Sequence, residues 1–339
     1  MFRRKPSPKQ LMQAYNDGLP GAPVDHAGRD QLMEDRLVGE YRSAAGRING
    51  LHKHRRRVLL YKALRRLDPP TSRSNQGAYA SESQTAPDCT SHGSRWGVDT
   101  TRANEIVHDK TGERWVARGS TEHIYSGRGH GGGGMSPEKA TRILGNGQLL
   151  RLDYRDEGGP DLRVYDSRKG ERNGRTGIPR VWGEIAETEL RAHKWFHARR
   201  TEEALDYMAA GYGGHAGSQF GSSQRTGADG LNLKTKSWNH DMAHVGFDLT
   251  CEFWRVAVVF IANSWGAWNL PNPVWRANED VFGPWIPGML VVPLELFARH
   301  IIRAGSAYYF AQVDGDAIKP LPLTEEDFGG WNTPMGVAA

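Results

Sequence analysis

The longest uninterrupted apolar run in the chain is seven residues, Val256 to Ala262. Seven residues suit one buried strand and fall far short of the roughly 18 that a membrane-crossing helix needs, so no membrane partner is expected. The core must therefore be assembled from many short elements. Glycine points the same way: it fills 41 of 339 positions, well above a usual share of ~7%, which favours turns and strands over a helical bundle. Hydrophobic residues at 38%, with 11 Trp, still supply a core despite a mean hydropathy of −0.64, so a wholly disordered chain is excluded.

Charge is unevenly placed. Residues 1–70 hold 15 Lys and Arg against 7 Asp and Glu, a net +8 within a chain whose total is +5. The sequence divides into a basic, partly helical N-terminal arm (1–70), a linker rich in Ser, Thr, Gln and Gly (71–87), a compact domain (75–320) and a C-terminal tail (321–339). In the arm, a Pro- and Gly-bearing leader precedes a helix from Asp30 to about Ile48. A second helix from Leu51 to Leu67 is read from the apolar stripe Leu51, Val58, Leu60, Leu64 and Leu67, with the run His52 to Arg57 on its other side. Such a run is a solvated helix face or a contact for nucleic acid or an acidic protein. In the domain, Ser136-Pro137-Glu138 carries an N-cap followed by Pro at the first helical position. Thr201-Glu202-Glu203 starts another helix, stopped by Gly211. Strands are predicted over Trp238–Phe247, Val256–Asn263, Gly288–Val292 and Ala307–Val313, with a helix from Pro293 to Arg303. Helices first and strands later indicate an α+β domain in two lobes.

Two cysteines, Cys89 and Cys251, are too few for a disulfide framework and lack zinc-site spacing, so both are read as free thiols. No metal or cofactor is expected. Gly127 to Gly132 matches GxGxxG by letters, but six of the eight residues from Gly127 to Gly134 are glycine, and no Gly-Lys-Ser/Thr follows. The remaining chemistry is that of a lone thiol. A nucleophilic Cys needs a helix N-terminus and a nearby imidazole, and Cys89, after Pro87-Asp88, stands at a plausible helix start.

At this point the residues carry a resemblance. Ile261-Ala262-Asn263-Ser264-Trp265-Gly266 resembles the Asn-Ser-Trp-Gly segment of papain-like cysteine peptidases, and His240 to Phe247 resembles the family's histidine strand, with Val245-Gly246-Phe247 as its Val-Gly-aromatic triplet. Gln84, five residues before Cys89, resembles the oxyanion-hole glutamine, and Gly133-Gly134 the substrate-binding glycine pair. These segments occur in the family's chain order. The resemblance implies a papain-like two-lobed domain, a Cys89/His240/Asn263 triad with Gln84 on the oxyanion, and a substrate path at Gly133, Gly134, Ser218 and Trp265. The stretch from Gly217 to His240 looks most like bacteriophage-encoded members. That implies a peptide or protein substrate, a location in a host cytoplasm or in the virion, and an arm that contacts other virion or assembly subunits or, non-specifically, nucleic acid.

Some features depart from the family. Asp88 precedes the nucleophile, where an acid opposes formation of a thiolate, and the Gln-to-Cys spacing is one residue short. The alternative function is a virion structural or assembly protein that keeps the fold with little or no turnover. A third reading takes the arm as a helical inhibitory pro-segment. His244, on the same strand face as His240, is either a second pocket histidine or a core residue, and Cys251 is structural.

Overall fold

The apolar run that limits the sequence becomes one strand of a seven-stranded sheet in a computed structural model, which describes residues 48–68, 82–108, 114–190, 192, 194–311 and 323. In chain order the strands are β1 (Arg57–Val58), β2 (Lys194–Ala198), β3 (Gly214–Ser218), β4 (Gly221–Ser222), β5 (Lys234–Lys236), β6 (His240–Asp248), β7 (Val258–Ala262), β8 (Met289–Pro293) and β9 (Ser306–Ala311). The helices are α1 (Tyr61–Leu67), α2 (Cys89–His108), α3 (Thr121–Ser126), α4 (Pro137–Asn146), α5 (Ser167–Asn173), α6 (Arg180–Ala186), α7 (Thr201–Ala209), α8 (Pro273–Arg276), α9 (Glu279–Phe282) and α10 (Leu294–Phe297). The large sheet is antiparallel throughout, in the order β2-β9-β3-β6-β7-β8, and β1 continues the edge of β6 that β3 leaves. β4 and β5 form a separate hairpin pair.

β6 is the backbone of the β lobe. Its side chains alternate, Met242 entering the core under α7 while Ala243 and Val245 enter the core under α1 and α9. The register against β7 shifts between His244 and Gly246, a bulge that turns Phe247 to the α7 side with Met242. Gly246 is required there: its φ is +150°, and a Cβ would lie 2.3 Å from the Val58 carbonyl oxygen, so only glycine lets β1 close on the strand.

The helical lobe hangs on α2, a poor helix by propensity with two glycines in it. Packing makes it helical. Cys89, Gly93, Gly97 and Thr101 share one face at spacings of four. A Cβ on Gly93 would meet Asp241 Oδ1 at 2.1 Å, and one on Gly97 would meet the Gly214 carbonyl at 3.1 Å. Farther along, Thr101 Oγ1 donates to Phe310 O (3.0 Å) and accepts from Gly213 N (2.9 Å). The lobe's own core gathers Val98, Ile124, Leu144 and Leu150.

Several expectations hold. Ser136 caps α4 by accepting from Lys139 N, with Pro137 at the first helical position, and α7 ends before Gly211, whose φ is +103°. The predicted strands appear as β6 to β9, and the predicted helix from Pro293 is α10 running into a π-type turn to Ile302. The continuous helix from Leu51 to Leu67 does not form. That segment is a 3-10 turn (Leu51–Lys53), then β1, then α1.

The basic run is divided: Lys53, His54 and Arg56 are exposed, while His52, Arg55 and Arg57 are used inside the fold. Asp206 accepts from Gly50 N and His52 N (2.8 and 3.0 Å), Arg55 donates to Ala209 O, and buried Arg57 pairs with Asp248 and Glu252. Residues 48–68 are thus built into the domain, and an arm reaching to residue 70 is corrected to that extent. The expected linker is corrected at its end as well, since Glu82, Ser83 and Gln84 pack on the domain. The helix expected from Asp30 lies, but for Ile48, outside the described residues, as does the tail except Leu323. Among the described residues no helix is long and apolar enough to cross a membrane.

Candidate active site

α2 starts at Cys89: the Asp88 carbonyl accepts from Ser91 N (2.9 Å) and His92 N (3.2 Å), which places Cys89 in the first turn, where backbone N–H groups and the helix dipole favour an anion. Because Gly93 abuts Asp241, the residue one turn earlier on that face, Cys89, lies at the level where β6 begins, with His240 its first residue. The thiol is buried.

His240 is held from two sides. Its Nε2 lies 2.7 Å from Asn263 Oδ1, and its ring stacks on Trp265 at 4.6 Å between centroids. The tautomer follows from chemistry. Asn263 Oδ1 also accepts from Ser264 N (2.7 Å), which fixes that atom as the oxygen, so Nε2 must be the donor and Nδ1 carries the lone pair in the neutral ring. Trp238 and Trp268 close around Trp265 at 4.7 and 5.2 Å, keeping water from this bond. Burial pushes the His240 pKa down to about 4; the Asn263 hydrogen bond opposes this, and His92 adds to it. His240 is therefore a neutral imidazole near pH 7.

The remaining predicted positions gather around this centre. Gln84 is clamped to the Asn263 strand end: its N donates to Ser264 O (2.8 Å), its Oε1 accepts from Ser264 Oγ, and one of its amide protons goes to Ala86 O (2.8 Å). Gly134, at φ +79°, donates to Pro87 O (3.1 Å), and Thr90 Oγ1 donates to Met135 O (2.8 Å), so the glycine pair Gly133-Gly134 borders the start of α2. Ser218 pairs with His240 across β3 and β6, and its Oγ accepts from Phe220 N (3.3 Å). His244 is a core residue, bonded to Tyr309 OH at 2.7 Å. Cys251 is exposed, with its Sγ 3.8 Å from Leu249 O.

Sequence reasoning missed what lies behind α2. Asp88, His92, Arg95, Asp99 and Arg102 form a second face, all of it buried. Glu82 takes a two-pronged pair from Arg151 (2.6 and 2.8 Å), Arg151 also binds Glu122 (3.0 Å), and Arg118 binds Asp68 (2.8 Å). Burial alone would raise Glu82, but Arg151, Arg95 and His92 together hold it well below the usual carboxylate range. The sequence signal was present as charges at helical spacing between residues 88 and 102, a pattern normally read as a solvated face.

The fold is papain-like. The structure is similar to that of xylellain, a cysteine protease from Xylella fastidiosa (TM-score 0.51, 15% identity, 93% of this chain and 99% of that one). It is also similar to the Amb a 11 cysteine protease, a major ragweed pollen allergen, in its proform (TM-score 0.51, 10% identity, 91% of this chain and 79% of that one). No family model and no curated protein matches the sequence. At these identities the likeness is one of fold, and function has to be argued from the site.

Proposed function

We propose that the protein is a papain-like cysteine peptidase acting on a peptide or isopeptide bond, with Cys89 as nucleophile, His240 as base and Asn263 as the residue that orients it. The observation that carries this reading is the 2.7 Å bond from His240 Nε2 to Asn263 Oδ1 beneath Trp265, because it leaves Nδ1 as the proton acceptor beside the start of α2. Cys89 Sγ gives its proton to His240 Nδ1 and attacks the carbonyl carbon. The developing oxyanion is met by the Cys89 N–H and the Gln84 amide. His240 then returns the proton to the departing amine, leaving a thioester. A water molecule, deprotonated by His240, attacks the thioester and releases the acid and the thiol. Gly133 and Gly134 offer bare backbone to an extended substrate, with Ser218 and Trp265 on the His240 side.

A second reading, a structural or assembly protein that retains the fold, is favoured by one observation, the complete burial of the Cys89 thiol. Iodoacetamide decides between them. Exposed Cys251 competes with buried Cys89, so faster alkylation of the buried thiol near pH 7 can come only from thiolate character. The peptidase reading expects Cys89 to label at least tenfold faster than Cys251, and His240→Ala to abolish the difference. Equal labelling, or none at Cys89, overturns it.

A further inference from the structure

Asp88 is the residue whose place next to Cys89 conflicts most with a reactive thiol. Its carboxylate is buried, and a bare charge there would act on the thiol with little screening. Two groups meet it. Tyr165 OH donates to Oδ2 at 2.7 Å, and His92 Nε2 lies 3.5 Å from the same oxygen. Among the described residues His92 is the only basic side chain recorded within 4 Å of the Asp88 carboxylate. The nearby Arg128 guanidinium is turned onto backbone carbonyls of Tyr125, Gly132, Gly170 and Glu171.

His92 itself is fully buried, and neither ring nitrogen has a hydrogen-bond partner among the described residues. Each faces a carboxylate instead, Nε2 toward Asp88 and Nδ1 toward Glu82 Oε2 at 3.8 Å. A neutral imidazole can offer a proton to only one of two acids, whereas an imidazolium offers one to both. Its ring meets Tyr165 edge-on at 5.1 Å, which fixes its plane.

We propose that His92, in its protonated form, is a positioning residue for the nucleophile: held between Asp88 and Glu82, it neutralises Asp88 so that the acid beside Cys89 does not suppress the thiolate. The inference rests on the peptidase reading above. The groups facing this pair are Glu82, with Arg95 and Arg151 behind it, Tyr165 and Tyr125 from the helical lobe, Glu171 from α5, and His240 from β6. Arg151 and Arg95 already answer Glu82, so the charge of His92 is directed chiefly to Asp88. The same charge opposes protonation of His240.

The test is the pH dependence of Cys89 alkylation by iodoacetamide in the full chain. His92→Gln removes the cation and leaves Asp88, so the thiol titration moves up by about one pH unit, a roughly tenfold slower reaction at a fixed pH below both midpoints. Asp88→Asn moves the midpoint down, and the double variant returns it toward that of the unmodified chain. A loosened fold would slow labelling without this opposed pair of shifts. If His92→Gln fails to fold, the ring-nitrogen NMR shifts of His92 in the unmodified chain decide: the proposal expects both nitrogens protonated at neutral pH, and a neutral ring overturns it. Labelling that depends on His240 but is indifferent to His92 and Asp88 overturns this inference and spares the peptidase reading. Labelling of Cys89 no faster than Cys251 removes both.

Discussion

The two buried faces of α2 are packed by opposite means. The face of Cys89, Gly93, Gly97 and Thr101 meets the sheet with almost no side chain, and its closeness is steric: at Gly93 and Gly97 the gap left for a Cβ is 2.1 and 3.0 Å. The face of Asp88, His92, Arg95, Asp99 and Arg102 meets the helical lobe with ionisable side chains: Asp88 meets Tyr165 and His92, Arg95 meets Glu82 and Asp99, and Arg102 donates to Ala117 O. Cys89 sits where the two faces begin. The difference teaches that the position of Cys89 is fixed by small residues, while the ionisable groups around the helix start lie on the opposite side of the same helix.

The comparison breaks most readily on the charged side. Arg151 holds both Glu82 and Glu122, so Arg151→Met leaves two buried carboxylates facing an apolar group. Removing one member of a buried ion pair costs about 3–5 kcal/mol. Urea unfolding of the variant should show that loss, and a loss under 1 kcal/mol would mean the network is wet and replaceable. On the steric side the expected effect is smaller and more local. Gly93→Ala gains helix propensity, but its Cβ would displace the Asp241 carboxylate, an overpacking cost of about 1–3 kcal/mol. Since Asp241 adjoins His240, labelling of Cys89 should slow in this variant even where the fold survives. Unchanged labelling would show that α2 can shift without disturbing the base.

What was legible in the sequence follows the same division. His240, Asn263 and Trp265 were readable through the resemblance of His240–Phe247 and Ile261–Gly266 to papain-like segments; β6 begins at His240, and Asn263 and Trp265 follow the end of β7. α2 was legible only at its first residue. Ser, Thr and Gly at Thr90, Ser91, Gly93, Ser94, Gly97, Thr100 and Thr101 weaken any propensity signal, and the helix persists because small residues let it approach the sheet. β3, with two glycines and a buried His215, gave no alternation to read. Residues 51–67 misled in the other direction. Their apolar stripe fits a helix, yet Val58, Leu59 and Leu60 are all buried, and pairing with Phe247 and Asp248 draws Arg57 and Val58 into a strand. Tertiary contacts overrode a local period.

The smallest predicted effect per group sharpens the comparison through pH. His240 and His244 on the sheet side, and His123 in the helical lobe, are fully buried, and burial lowers their pKa values to about 4, 3 and 4. A group whose folded pKa lies below its unfolded value of ~6.5 contributes stability that is complete above that value and is lost as pH falls toward the folded pKa. Each histidine should therefore cost about 1 kcal/mol between pH 6.5 and 5.5. Asp241 acts in the opposite sense: burial raises it to about 6 despite His215 at 2.9 Å, so its contribution is complete below ~3.8 and declines as pH rises through about 6. Three histidines outweigh one aspartate, and stability should fall by roughly 2 kcal/mol over that unit of pH. Glu82, held low by Arg151, Arg95 and His92, does not titrate there, so the charged face keeps its pairs while protonation of the histidines once exposed favours opening of the sheet side. Hydrogen exchange at pH 5.5 should accordingly open β6 and β7 before the segment from Asp88 to Arg102. The reverse order would place the acid-sensitive groups on the charged face and reverse the assignment of which side of α2 is the more robust.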